Sequence, residues 1–359
     1  MRANVWAFLE TFLETFLETF LETWRSTMTF VLTTRQHQYT IASYLAACDD
    51  ELSAPFVPLS YEELFRTRRL SRGVYIFADI DRLSPPDTER AGHFWRQLSE
   101  AGCRVLNHPT RSMRRYELLR TLYERGINDW NVYRVPELRM PQKFPVFLRQ
   151  EDEHGGNISP LLHSPAEVDA QIEQLRNAGK SCEGKMLAEF CDTKDANGIY
   201  RKYAAHVVGP HVIPRHLFFG NEWMLKGPKI ADRDGLLVEE TEYVRSNPHE
   251  AELRRIFQLA RIEYGRIDYS VRDGKITVWE INTNPMIMRR LDVQREWRRE
   301  IQLQFLRRFR DAFTELAVEA DCGPASPRCI RIESKDLRPP LPKTRWETTR
   351  DILRWRRAA

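Results

Sequence analysis

The sequence predicts an α/β protein whose C-terminal part turns α+β, and three observations carry this. From Thr29 to Asn107, short apolar runs alternate with stretches of helical spacing, the pattern of a parallel sheet with helices on its faces. Further on, YRKYAAHVVG and HVIPRHLFFG follow one another directly and read as consecutive antiparallel strands. IDYSVRDGKITVWEIN (267–282) then contains Asp273-Gly274, a strong turn pair that closes a hairpin.

The elements follow in order. TFVLTT is a first buried strand, Tyr39 to Cys48 has helical spacing, and FVPLS is short and extended. GVYIFADI (73–80) is a strong β-run. Thr88 to Ala101 is a helix that Gly102 ends, and CRVLN (103–107) is another strand. Arg111 to Arg125 reads as a basic helix stopping at Gly126. FPVFLRQ (144–150) is a strand leading into the polar turn EDEHGG. Pro165 to Asn177 is a helix with Ser164 as its cap. GKMLAEFCD (184–192) is a strand, residues 248–263 form a helix, and Arg289 to Val318 is a long basic helix. Beyond Cys322 the chain is rich in Pro, Arg and Lys and reads as a loose tail with a short helix near its end. Five segments result: 1–27, 28–110, 111–192, 193–320 and 321–359.

Bulk properties bound the function. A chain of 359 residues can bury a sizeable core and form more than one unit. Hydrophobic content of 42% and charged content of 30% suit a soluble, cytoplasmic globular protein. A net charge of +4 is too small to argue for nucleic acid. The Arg-rich segment 289–310 and the tail WETTRDILRWRR interleave bases with acids, as a surface helix does. The six cysteines form no C-x-x-C pair and have no His-rich partner segment, which argues against zinc.

Phe8 to Thr23 reads FLET four times over. In a helix each step advances about 400°, so the apolar face winds slowly around the axis. A Glu in every turn argues against a membrane span or a signal-peptide core. A helix docking on the body, a membrane-surface helix and a duplicated or upstream stretch all fit. The last is preferred, because Met28 immediately precedes the first strand.

The chemistry gathers on the Asp-Gly hairpin. Its turn sets Asp268 roughly opposite residue 279 or 280, so carboxylates converge across the ladder. Glu280 and Asn282 project from one strand face, with Ile281 turned into apolar packing. Three oxygen-bearing side chains suit Mg²⁺, with Mn²⁺ as a substitute. Two acids on a solvated hairpin is the bland alternative. It is weaker for Glu280, since ITVWEIN is otherwise an apolar run.

RIDYSVRDGKITVWEINTNP resembles the closing motif of the ATP-grasp superfamily, in which an Asp and a Glu-x-Asn hold metal ions under the ATP phosphates. Upstream segments resemble the family in the same order. These are NHPTRSMRRYELLRTLYERGI, FPVFLRQEDEHGG, MLAEFCDT, NGIYRKY and NEWMLK. The resemblance implies an ATP-grasp fold, with a Rossmann-like pre-ATP-grasp domain over 28–110. A lid follows over 111–192 and a C-terminal subdomain over 193–320.

Residue roles are implied with it. Asp268, Glu280 and Asn282 match the metal positions. Arg149 stands where the family usually has a phosphate-contacting Lys, and Arg114 or Arg115 where many members have another. Glu189 resembles the residue beside adenine and Asp192 a ribose partner. Arg201, Lys202 and Lys226 are candidates for phosphate or substrate charge. His154, Gly155 and Gly156 match a phosphate-covering turn. Arg266 and Arg289 flank the metal motif and could hold a carboxylate or stabilise an acyl phosphate; balancing nearby acids is the competing role.

The implied activity is an ATP- and Mg²⁺-dependent ligase that activates a small-molecule or peptide carboxylate as an acyl phosphate and joins it to an amine. Rival readings are a kinase-like phosphotransferase and a non-catalytic ATP-binding scaffold. No nucleic acid and no membrane span are expected, and a homodimer is compatible. Deleting residues 1–27 is expected to leave ATP binding intact, checked by nucleotide titration of the truncated chain; loss of soluble, binding-competent protein would refute it.

Overall fold

The computed structural model describes residues 28–49, 51–54, 56–137, 140–152, 156–225, 227, 234–292, 296–319, 329–333 and 337–338. The FLET repeat and the final residues 339–359 lie outside these.

The first unit runs β1 (Thr29–Thr33), α1 (Tyr39–Ala47), β2 (Phe56–Ser60), α2 (Tyr61–Leu64), β3 (Arg69–Ser71), β4 (Val74–Phe77), α3 (Pro85–Glu100) and β5 (Arg104–Leu106). Its main sheet has the order β2-β1-β4-β5 with every pair parallel. Alternate residues serve opposite faces. Phe30, Leu32, Tyr75 and Phe77 pack with Phe94 and Leu98 of α3 on one side. Val31, Val74 and Ile76 face Phe305 and Phe309 on the other. α3 begins at Pro85, three residues before the sequence reading, because Ser84 accepts the Asp87 N–H and Pro favours the first turn.

Next come α4 (Arg115–Glu124), β6 (Val132–Arg134), β7 (Val146–Gln150), α5 (Pro165–Asn177) and β8 (Lys185–Glu189). α4 is shorter than the basic run suggested, since residues 108–113 turn before it. It packs Leu118, Leu119 and Leu122 into the core of the sheet that follows. β6-β8-β7 form an antiparallel sheet covered by α5. α5 spans the residues expected, with Ser164 accepting the Glu167 N–H.

β9 (Tyr200–Val208), β10 (His211–Gly220), α6 (Asp234–Ser246), α7 (Glu250–Ala260), β11 (Tyr264–Arg272) and β12 (Lys275–Asn282) complete the site-bearing part. The sheet order is β10-β9-β11-β12, antiparallel throughout. α6 has no counterpart in the sequence reading; its apolar positions are separated by acidic ones in DGLLVEETEYVRS. α8 (Glu296–Glu319) starts later than the basic run implied, so Arg289 lies in the loop before it. Phe305, Phe309 and Phe313 of α8 are fully buried between the parallel sheet and residues Val208, Ile213 and Tyr264 of the antiparallel one.

The loose-tail expectation needs correction at one point. Residues Cys329–Arg331 form β13, antiparallel to β3. Ile330 and Ile332 enter the core beside Leu70, and this apolar gain fixes a segment whose composition alone suggested none. Among the described residues no helix is long and apolar enough to cross a membrane.

Gly209, in the turn between β9 and β10, has φ of 55°, and a Cβ there would meet Leu316 Cδ2 of α8 at 2.9 Å. Gly209→Ala is expected to cost about 1–2 kcal/mol, read as a lowered midpoint in urea unfolding.

Candidate active site

The β11–β12 hairpin turns through Asp273 (φ 52°) and Gly274 (φ 73°), the double positive-φ arrangement that an Asp-Gly pair favours. From Arg272↔Lys275 the ladder runs regularly to Tyr269↔Val278. It then shifts by one residue, so that Asp268 opposes Glu280 and Arg266 opposes Asn282. Trp279 is the extra residue of this bulge. An unbroken ladder would set Asp268 against Trp279. The bulge also seats Trp279, whose Nε1 donates to Ser270 Oγ at 2.9 Å and whose ring stacks on Trp130 at 5.5 Å.

Asp268 is buried. Arg266 Nε donates to its Oδ1 at 2.8 Å, and Lys202 Nζ lies 2.7 Å from its Oδ2. Burial pushes its carboxyl pKa up, but Arg266 and Lys202 outweigh burial and hold it below the usual value. Glu280 Oε2 accepts from Arg115 Nη2 at 2.8 Å and Arg149 Nη2 at 2.9 Å. Arg115 is nearly sealed in, and its Nη1 also donates to the carbonyls of Gln150 and Glu151. Burial, then the Arg115 charge, lowers the Arg149 pKa to about 10. Each carboxylate is thus held by two cations.

A cavity opens between the two antiparallel sheets beside these groups. Phe147, Phe190 and Trp223 line it at one part; Arg149, Arg201, Lys202 and Glu280 line it at another. Phe147 and Phe190 pack on the Trp223 ring at 5.0 and 5.5 Å. Gly156, from the polar turn after β7, also lines it; His154 and Gly155 lie outside the described residues.

The other sequence candidates divide. Arg201 reaches the cavity but is tied to Asp195 and Glu239, each at 2.7 Å. Glu189 is buried, and its carboxylate accepts from the Asn131 N–H (2.9 Å), the Tyr133 hydroxyl (2.9 Å) and the Lys143 N–H (3.0 Å). That carboxylate therefore joins β8 to its neighbours. Asp192 sits between the cavity residues Cys191 and Thr193, with Lys194 Nζ at 3.0 Å from its carboxylate. Asn282 Oδ1 accepts the Asn284 N–H at 2.8 Å, which shapes the exit from β12. Arg289 is exposed and makes no ion pair among the described residues, so it stands apart from the carboxylates. Lys226 lies outside the described residues. Arg114 turns to Thr88 and the Leu83 carbonyl, which leaves Arg115 as the basic residue at the site. Sequence reasoning missed the aromatic wall, whose members come from separate segments.

No protein-family model and no curated protein sequence matches the chain. Solved structures do resemble it. The D-alanine–D-alanine ligase of Bacillus anthracis complexed with ATP is 14% identical, over 82% of this chain and 98% of that one, with a TM-score of 0.47. The D-alanine–D-alanine ligase of Coxiella burnetii is 11% identical, over 82% and 95%, at 0.49. The ATP-grasp ligase PsnB complexed with a minimal precursor is 13% identical, over 81% and 99%, at 0.47.

Asp268→Asn is expected to destabilise by about 3 kcal/mol, because it strands Arg266 and Lys202. The wild-type ion pairs contribute above the unfolded carboxyl pKa and are lost as pH falls through the depressed folded value. Urea midpoints measured from pH 7 down to the acid limit should therefore fall less steeply in the variant.

Proposed function

We propose that the protein is an ATP-grasp ligase that activates a carboxylate at the expense of ATP and joins it to an amine. One observation supports this most: an aromatic-lined cavity whose cationic part includes Glu280 and, through Lys202, adjoins the opposed carboxylate of Asp268. The aromatic rings suit a base, and Arg149, Arg201 and Lys202 suit phosphates. Asp192 is proposed as a ribose partner, and Lys226 as a further phosphate contact. Glu189 would act from beneath, holding β8 so that its backbone meets adenine. Arg266 is proposed to neutralise the acyl phosphate, and the exposed Arg289 is proposed to share that role.

The donor set fits a hard divalent ion. Asp268, Glu280 and Asn282 present oxygen from one end of the hairpin, as Mg²⁺ or Mn²⁺ prefers. No three His, Cys, Asp or Glu side chains gather among the described residues, so phosphate oxygens would complete the shell. When bound, the ion would supply charge neutralisation of the phosphates. Lys202 and Arg149, now salt-bridged to the acids, would be freed to turn toward the same anions. This chain's own residues orient and shield the reacting groups; no covalent protein intermediate is required.

Glu280→Gln is expected to lower ATP-dependent ADP release by about 100-fold or more while circular dichroism stays unchanged. The assay screens amino acids and peptides as carboxylates, with amines, and identifies products by mass spectrometry. Amide formation supports the ligase. A stable phosphorylated product selects the phosphotransferase reading, and nucleotide binding with no turnover selects a scaffold. Undiminished turnover in Glu280→Gln would remove the metal assignment.

A further inference from the structure

The sheet face that carries Lys202 and Asp268 continues beyond them, away from the aromatic cavity. Along β9, Ala204 opposes Asp268 and His206 opposes Arg266. β10 adjoins the same strand: His216 opposes Ala204, and its register shifts between Pro214 and His216, at Arg215. The Arg215 guanidinium lies 4.5 Å from the Phe305 ring centroid of α8. Its Nε donates to the Ile287 carbonyl at 3.1 Å, and its Nη2 to Met288 Sδ at 3.5 Å.

Arg215 has no carboxylate in ion-pairing distance among the described residues. Glu240 of α6 is committed elsewhere: it pairs with Arg298 at 3.1 Å and accepts the Leu217 N–H at 3.3 Å. Asp268 is held by Arg266 and Lys202. Cations therefore outnumber acids here: Lys202, Arg215, Arg266 and Arg298 are set against Asp268 and Glu240, while Glu280, opposite Asp268, is held by Arg115 and Arg149. Burial, followed by the charges of Arg266 and Arg298, pushes the Arg215 pKa down to about 9, so it remains charged at neutral pH. His206 and His216 are kept neutral by burial and by the same guanidinium groups. Both ring nitrogens of His206 are buried without partners. A guanidinium kept charged here without an acid is costly, and the Arg215 residue is half-buried rather than sealed in.

We propose that Arg215, with Arg298 beside it, binds a carboxylate of the substrate that does not react, so that the substrate is an acidic molecule carrying a second anionic group. The register supports this: the cavity lies at the Lys202 end, and Arg215 stands across β9 from Asp268, level with the Ala204 and Ala205 rows. A nucleotide reaching Asp268 from the cavity leaves the Arg215 side to the molecule it activates. The inference rests on the ligase reading for the reaction it serves; the binding site itself rests on the charge arrangement alone.

The test titrates the full chain with succinate, glutarate and L-glutamate, with succinamide and glutaramide as neutral controls, and with inorganic phosphate. Each titration is run with and without AMP-PNP. At least one dicarboxylate should bind about tenfold or more tightly than its diamide, and Arg215→Gln should erase that preference while AMP-PNP affinity stays within about twofold. Equal binding of acid and diamide by the wild type overturns the proposal, whether or not the variant folds. So does a variant that keeps the preference, or one that loses AMP-PNP or phosphate affinity in parallel, which would assign the cations to the nucleotide. If AMP-PNP fails to bind while the Arg215-dependent carboxylate preference persists, the ligase reading falls and this site stands. Nucleotide binding without any carboxylate preference does the opposite: the site falls and the ligase reading stands.

Discussion

The contact that organises this molecule's site is the buried ionic cluster around Asp268. Three strands meet there: β11 supplies Asp268 and Arg266, β9 supplies Lys202, and β12 brings Glu280 opposite. Burying a carboxylate is tolerable only because two cations share it. Glu280 repeats the arrangement with Arg115 and Arg149, which come from α4 and β7. The two acids therefore tie the three-stranded sheet, the preceding helix and the four-stranded sheet into one electrostatic unit.

Much of this was legible in the sequence. The Asp-Gly turn fixes the hairpin because both residues accept positive φ, and ITVWEIN is a largely apolar run that buries as a strand. The convergence of Asp268 and Glu280 was visible only to within one residue, since the bulge at Trp279 depends on packing against Trp130 and Ser270. Glu189 looked like a side chain at the nucleotide; its three donors are scattered over residues 131–143, and no local pattern announces them. α6 was missed because its acidic positions mask a buried stripe. β13 was missed because two isoleucines in a Pro-rich stretch carry little periodicity.

The cations have unequal standing. Those at Asp268 and Glu280 are matched by acids and hold the walls of the site together. Among the described residues Arg215 is matched by a carbonyl, a thioether and an aromatic ring, with no acid. Such asymmetry between neighbouring guanidinium groups separates architecture from recognition more sharply than the sum of charge on the face does.

The pairing of β13 with β3 bears on how the molecule is made. The first unit's core holds Ile330 and Ile332 against Leu70, across most of the length of the described chain. During synthesis, the edge at β3 waits uncovered until nearly all later elements have emerged. α8, which covers the other face of the same parallel sheet, also arrives late. The unit that begins the chain is therefore among the last to be completed, and a nascent chain must keep a half-built parallel sheet out of trouble meanwhile.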